Sequence, residues 1–449
     1  MTRSLTLNAF LMTTGHHESS WRLPESDPHA GTEVGHYIRL AQLAEKAKLD
    51  AIFFADGPLL QGPVAQRPAG ILDPVSVLTA IAPLTENIGL IATASTSYND
   101  PYNLARRFAS LDVISNGRAG WNVVTTAGDA AARNFSQSRQ FDSSQRYLRA
   151  EEFLTVVKKL WDSWDPDAVV ADKASGTWAD PAKIHPANHV GEHFQVAGAL
   201  NVPRSPQGHP VIIQAGASAA GKDFAGRWAE AIFTAHQSFE SAEAFYQEIK
   251  NRAVSHGRSE QSVKVLPGIV PILGSTEAEA GELADRLDGL ILPEYAKNTL
   301  AQQLHVDPAS LDLDRELPAG LENAVSKEKS TSRRDLILEL GYQRKLTVRQ
   351  IIRELGPGRG HQTFTGTPEQ LADRIEYWFK AGAADGFNIM PPVLPSGLEI
   401  FTEQVVPILQ QRQLFRTEYE HSTLRGNYGL PIPELERASS TAWELRDIP

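Results

Sequence analysis

Small polar residues recur where short apolar runs of the chain end: Asp56; Thr93, Ser95 and Thr96; Asn122, Thr125 and Thr126; Gln214 and Ser218; His236; and Asn388. The set is rich in neutral donors and acceptors. It holds no close pair of acids of the kind a glycosidase needs, and no His/Asp/Glu cluster suited to a metallohydrolase. It suits holding a polar organic ring system by hydrogen bonds, although each residue alone could equally be an ordinary strand-end cap. The stretch Gln214–Gly221 (QAGASAAG) is more specific, because Gly216, Ser218 and Gly221 are small and a helix follows. Small residues let backbone N–H groups approach an anion, and the helix dipole adds to the attraction, so a phosphate fits there; a tight strand-to-helix turn is the plain alternative.

Histidines give two further candidates. His185, His189 and His193 recur at four-residue spacing, but Pro186 and Gly191 interrupt them, so a zinc-binding helical face is not expected. His16 and His17 follow the first apolar run and precede Trp21, where they could face a substrate or lie in a solvated loop. Phe10, Phe54 and Trp121, with Trp21, could line a dry cavity, or could be simple core.

These residues need a scaffold that brings strand ends together. Strands are expected at Leu5–Thr13, Ala51–Asp56, Ile88–Thr96, Arg118–Thr126, Val211–Ala217, Ala231–His236, Val263–Leu273 and Gly386–Met390. Amphipathic helical stretches fall between them, among them His36–Leu49, Asp73–Thr85, Pro101–Ile114, Arg146–Trp164, Phe239–Ser255 and Thr367–Lys380. Alternating apolar strands and helices imply a parallel sheet covered by helices, and eight strands are what a (β/α)₈ TIM barrel needs. An open doubly wound sheet is the alternative, weakened by the lack of a GxGxxG after the first strand. The whole chain, 1–449, then reads as one α/β barrel domain with two insertions. Residues 165–209, after the fourth strand, read as β-like. Residues 275–360, after the seventh, carry candidate helices at Thr276–Leu290 and Ser332–Leu355 and read either as a lid or as a packing element between subunits. The tail, 398–449, holds one helix, Leu398–Gln413, and then an irregular stretch.

Composition narrows the partners. The 449 residues include no cysteine, which excludes disulfides, iron–sulfur clusters and a cysteine nucleophile. A net charge of −11 without a basic run argues against nucleic acid. No apolar stretch is long enough for a membrane span and no signal peptide is seen, so a cytoplasmic location is expected.

Several segments resemble the bacterial luciferase-like flavin monooxygenases, in the branch of the nitrilotriacetate, EDTA, dibenzothiophene-sulfone and long-chain alkane enzymes. They are Asp50–Asp56 (DAIFFAD), Pro101–Asp112 (PYNLARRFASLD), Ser115–Thr126 (SNGRAGWNVVTT), Ala132–Phe135 (ARNF), Arg146–Trp164, Val202–Ser218 (VPRSPQGHPVIIQAGAS), Gly366–Asp373 (GTPEQLAD) and Gly382–Phe387 (GAADGF). The resemblance implies a luciferase-type barrel using FMN, delivered reduced by a separate NAD(P)H-dependent flavin reductase. The reduced FMN would react with O₂ to a C4a-(hydro)peroxyflavin that oxidises a small-molecule substrate, in a homodimer or homotetramer. It also implies residue roles. Asp56, Thr93 and Ser95 would lie near the flavin ring, Thr126, Tyr147 and Ser218 near the ribityl chain and phosphate, and Asn134 would shape the site. His17 and His305, with His16, would be candidates for substrate contact or proton transfer. Members of this branch often carry histidine where this chain has Ser143; its hydroxyl would still hydrogen-bond the phosphate but add no positive charge, so either FMN would bind more weakly or the phosphate would lean on Arg146 or on backbone amides instead. An F420-dependent dehydrogenase of the same superfamily and a metal-dependent barrel hydrolase are the rival readings.

Overall fold

The computed structural model describes residues 3–60, 64–321, 332–355 and 360–435. Eight parallel strands close into a barrel: β1 (Thr6–Phe10), β2 (Ala51–Phe54), β3 (Gly89–Ser95), β4 (Ala119–Val124), β9 (Val211–Gln214), β10 (Ala231–Thr234), β11 (Lys264–Leu273) and β13 (Gly386–Ile389). β1 pairs with both β2 and β13, and β10 with both β9 and β11, so the ring has no free edge. The chain is therefore a TIM barrel. Between β4 and β9 lie two antiparallel hairpins, β5 (Val169–Asp172) with β6 (Thr177–Ala179) and β7 (His189–Val190) with β8 (Gln195–Val196).

A ninth strand, β12 (Gln362–Gly366), was not expected from the sequence. β11 is ten residues long, whereas β10 and β13 have four each. Lys264–Pro267 of β11 pair with β10, and Ile269–Leu273 pair with β12. β12 thus prolongs the line of β10 and satisfies backbone groups that a lone upper half of β11 would leave exposed. Gln237, just past β10, ties the two strands together: its Nε2 donates to the His361 carbonyl at 3.1 Å, and Gln362 Nε2 donates to the Gln237 carbonyl at 3.4 Å.

Side chains alternate between the barrel interior and the helical layer. Trp121 points outward and packs on Phe108, Phe153 and Trp161. Phe10, Phe53 and Phe233 point inward and pack on one another, with ring centroids 4.6 to 5.7 Å apart. Below them, Asn8 Nδ2 donates to Asn388 Oδ1 at 3.0 Å, and Asn388 Nδ2 donates to the Leu266 carbonyl at 3.1 Å. Asn388 therefore belongs to the middle of the barrel, paired with Asn8, rather than to the ring of strand ends.

The irregular tail closes the N-terminal end of the barrel. Leu424 fills the space left by two glycines: a Cβ on Gly89 would lie 2.4 Å from one Leu424 methyl, and one on Gly120 would lie 3.2 Å from the other. The buried Tyr428 hydroxyl donates to Asn8 Oδ1 at 2.9 Å. The expected helix Leu398–Gln413 is present as Ser396–Ile400, a π turn Phe401–Val405, and Val406–Gln411. Pro407, which cannot donate to the preceding turn, accounts for the widening. Residues 436–449 of the tail lie outside the described residues.

The described residues of the segment 275–360 form a helical layer: Glu277–Gly289, Pro293–Leu304, Ser332–Arg344 and Val348–Leu355. The last three share a core of their own, built on Leu300, Leu304, Ile337, Val348 and Ile351. Residues 322–331 and 356–359 of this segment lie outside the described residues.

Candidate active site

The C-terminal ends of β3 and β4 form a polar wall. Register brings Thr93 beside Asn122 and Ser95 beside Val124. Thr93 Oγ1 donates to the Phe54 carbonyl at 2.8 Å and accepts from Asn122 Nδ2 at 2.9 Å, so both its capacities are used. That fixes the Asn122 amide, whose buried Oδ1 has no protein partner and is set to accept from a ligand N–H. Ser95 Oγ accepts from Thr126 Oγ1 at 2.7 Å and from the Ser97 N–H at 3.1 Å. Its own proton remains available to a ligand. Just past β2, Asp56 supplies a carboxyl that burial, and then the charge of Asp73, hold above the usual carboxylate range.

The turn after β9 forms a second cluster. Ser218 caps the helix Ala219–Trp228, its Oγ accepting from the Gly221 N–H at 3.1 Å. Tyr147, from the helix Ser143–Trp161, leans over this turn and packs on Phe224 at 5.7 Å. A Cβ on either Gly216 or Gly221 would come within 2.7 Å of the Tyr147 hydroxyl. Glycine at both places keeps the phenol and the turn amides together as one cradle. Arg146 stands beside Tyr147 in the same helix. Its Nη1 donates to the Phe141 carbonyl at 2.7 Å, while its buried Nε has no protein partner. Gln214 Oε1 is likewise buried without one.

The other expected site residues are more dispersed. Ser143 is exposed at the start of its helix. Asn134 lies on the rim, its Nδ2 donating to the Pro58 carbonyl at 3.1 Å, and the next ring, Phe135, stacks on Tyr98 at 4.4 Å. His17 is buried in the loop after β1: its Nδ1 meets Ser19 Oγ at 2.8 Å, and its Nε2 stands 3.5 Å from Asp288 of the helical layer. His305 is exposed, in a left-handed conformation, and caps the helix Pro293–Leu304; it sits on the insertion and not on a barrel strand. His236 turns outward to the helix Phe239–Ser255, where its ring meets Thr234 Oγ1 and Ser241 Oγ at 2.9 Å each. Burial pushes its imidazole down to about 4, so it is neutral near neutral pH. His185 meets Asp165 at 3.1 Å and His189 meets Glu152 at 3.0 Å, while the His193 N–H donates to Glu152.

Two features of this region go beyond the sequence reading. Asn122 was only one of many polar strand-end residues until the Thr93 contact set its amide. His361 was not singled out because its strand was not recognised. Its ring lies flat on Phe233, with centroids 4.7 Å apart and planes 4° off parallel, inside the barrel mouth.

A closed parallel barrel with a polar wall, a glycine-rich turn at a helix N-terminus and an aromatic floor has the make-up of a site for a polar organic ligand at the C-terminal ends of the strands. Residues 16–385 match the model of the luciferase-like monooxygenases, and the chain belongs to that family. It is 45% identical to N-acetyl-S-(2-succino)cysteine monooxygenase of Bacillus subtilis (strain 168), over 96% of this chain and 98% of the relative. It is 44% identical to nitrilotriacetate monooxygenase component A of Aminobacter aminovorans, again over 96% and 98%. The structure of a riboflavin lyase with modified FMN and riboflavin superposes with a TM-score of 0.84 at 31% identity, covering 95% of this chain and 96% of that one. The chain is a flavin-dependent monooxygenase that works on reduced flavin.

Proposed function

We propose that the flavin is FMN, that a separate NAD(P)H-dependent flavin reductase supplies it reduced, and that the substrate is a small carboxylate-bearing molecule oxidised with O₂. The observation that carries the FMN reading is the cradle of Gly216, Ser218 and Gly221 beneath the Tyr147 hydroxyl, which suits a terminal phosphate. Arg146, whose buried Nε has no protein partner, would supply the charge that Ser143 lacks. Asn122 Oδ1 and the Ser95 hydroxyl would hold the ring edge, Thr93 and Thr126 would orient those two, and Asp56 and Asn134 would bound the site on the side of β2. The reductase and substrate readings lean on the relatives, one of which is named as component A and both of which are named for carboxylate compounds.

Bound there, the reduced flavin supplies the activation of O₂. The chain's own part is to orient the ring and to keep water from the reacting face. Phe10, Phe53 and Phe233 supply a dry floor. We propose that residues 275–360 cover the mouth and select substrate. His17 and Ser19 anchor the first of their helices to the loop after β1, Ser19 Oγ donating to the Leu287 carbonyl at 2.7 Å.

Anaerobic titration with reduced FMN, followed by mixing with oxygenated buffer in the presence of nitrilotriacetate, tests the proposal. Tight binding of reduced FMN with product formed in step with O₂ uptake is expected. Absence of reduced-FMN binding would overturn it.

A further inference from the structure

β11 carries β10 along its lower half and β12 along the upper half of the same edge. Inward positions of that wall therefore run from Phe233 of β10 to His361 and then to Thr363 of β12, beside Gly268 and Val270 of β11. Gly268 makes room for the imidazole: a Cβ there would lie 2.5 Å from His361 Nδ1, 2.6 Å from Met390 Sδ and 2.8 Å from the Phe233 ring. Flat stacking on Phe233 fixes the plane of the His361 ring, and Gln237 fixes its backbone. At the other end of the same aromatic layer, His16 packs edge-on against Phe10 at 4.7 Å.

In the strand order of the ring, β11 stands four places from β3 and so faces it across the barrel. A ring cofactor against Thr93, Ser95 and Asn122 would face the wall of β11 and β12, the side from which the molecule to be oxidised would meet it. From this placement, and resting on the function proposed above, we infer that His361 is a substrate-contacting residue that donates an imidazole N–H to a carboxylate of the substrate and sets its position over the aromatic floor. Thr363, whose buried hydroxyl has no protein partner, offers a second contact one inward step higher.

The test uses the whole enzyme with reductase, NADH, FMN and nitrilotriacetate as probe. His361→Phe keeps the ring stack and removes the N–H; His361→Gln keeps a donor. His361→Phe is expected to raise KM for the probe by about tenfold, the worth of one hydrogen bond to a charged group. It should also divert O₂ uptake from product to hydrogen peroxide, with reduced-FMN affinity held within about twofold, and His361→Gln should recover part of the loss. An unchanged KM and product yield in His361→Phe would overturn the inference, as would a fall in reduced-FMN affinity matching the rise in KM, which would put His361 on the cofactor side. If His361→Phe does not fold, His361→Gln and Thr363→Val carry the test, each expected to raise KM severalfold without moving reduced-FMN affinity. Calorimetry of the wild type with nitrilotriacetate and N-acetyl-S-(2-succino)cysteine separates the two readings. Binding of neither would overturn the carboxylate role of His361, while reduced-FMN binding and O₂ uptake would leave the FMN reading standing.

Discussion

The Thr126 hydroxyl donates to Ser95 Oγ across 2.7 Å, so a residue just past β4 decides which way a hydroxyl at the end of β3 points. With the Ser97 N–H on the same oxygen, Ser95 can offer its proton only outward. Ser95→Ala should therefore weaken reduced-FMN binding by about tenfold, and Thr126→Val by less, since the serine proton would then merely be free to turn. Anaerobic titration of both variants and of the double variant measures this. A double variant no worse than Ser95→Ala alone is expected, whereas independent, additive losses would mean that Thr126 contacts the flavin itself.

At Gly216 an added Cβ would lie 2.2 Å from Gln214 Nε2 and 2.7 Å from the Tyr147 hydroxyl. Gly216→Ala should push the phenol off the turn and weaken FMN by about 100-fold, roughly 3 kcal/mol, whereas Tyr147→Phe should cost about tenfold. Equal affinities for FMN and riboflavin in the wild type would place the phosphate elsewhere.

Much of this was legible in the sequence, for reasons that differ by residue. The eight barrel strands are short apolar runs buried on both faces, which is the pattern a parallel sheet imposes. The turn at Gly216–Gly221 was legible because small residues between a strand and a helix mark a tight turn, and Ser218 caps the helix that follows. β12 was not, because QTFTG is short, has Phe364 as its one large apolar residue and follows a long insertion. Its one signal was indirect: β11 runs to ten residues, twice what the barrel needs, and so required another partner. His361 was hidden with it. Tyr428 and Leu424 were hidden because a plug needs only shape, with no periodicity to betray it.

Asp112 makes stability depend on pH. It is fully buried, accepting from the Ala119 N–H at 2.8 Å, from Gln207 Nε2 at 2.6 Å and from the Ser205 hydroxyl. Burial, outweighing those bonds, pushes its carboxyl up to about 6. The folded chain thus holds this proton more tightly than the unfolded one, whose carboxyl titrates at about 3.9. The stabilisation is complete below about pH 4 and is lost as pH rises through about 6, an effect of about 3 kcal/mol. Asp112→Asn keeps the shape without the titration. The difference in unfolding free energy between wild type and variant should shift in favour of the variant across that window, and a constant difference would refute this account.

Leu424→Ala should open a cavity between Gly89 and Gly120 and cost about 3 kcal/mol, within the usual range for a buried leucine. Denaturant unfolding reads the loss. Reduced-FMN affinity should change less than twofold, because the plug lies at the opposite end of the barrel from the polar wall.

The bond from Tyr428 to Asn8 joins residues 420 positions apart. During synthesis, every barrel strand is complete by Ile389, yet the floor beneath them is missing until some forty further residues have emerged. A nascent chain released early, by termination between Ile389 and Leu424, would carry all of the residues proposed to contact the flavin on a barrel open at one end. Such a product would expose Ile91 and Ile213 from below. A barrel lacking Leu424 and Tyr428 would thus have its strands in place and its N-terminal end uncovered.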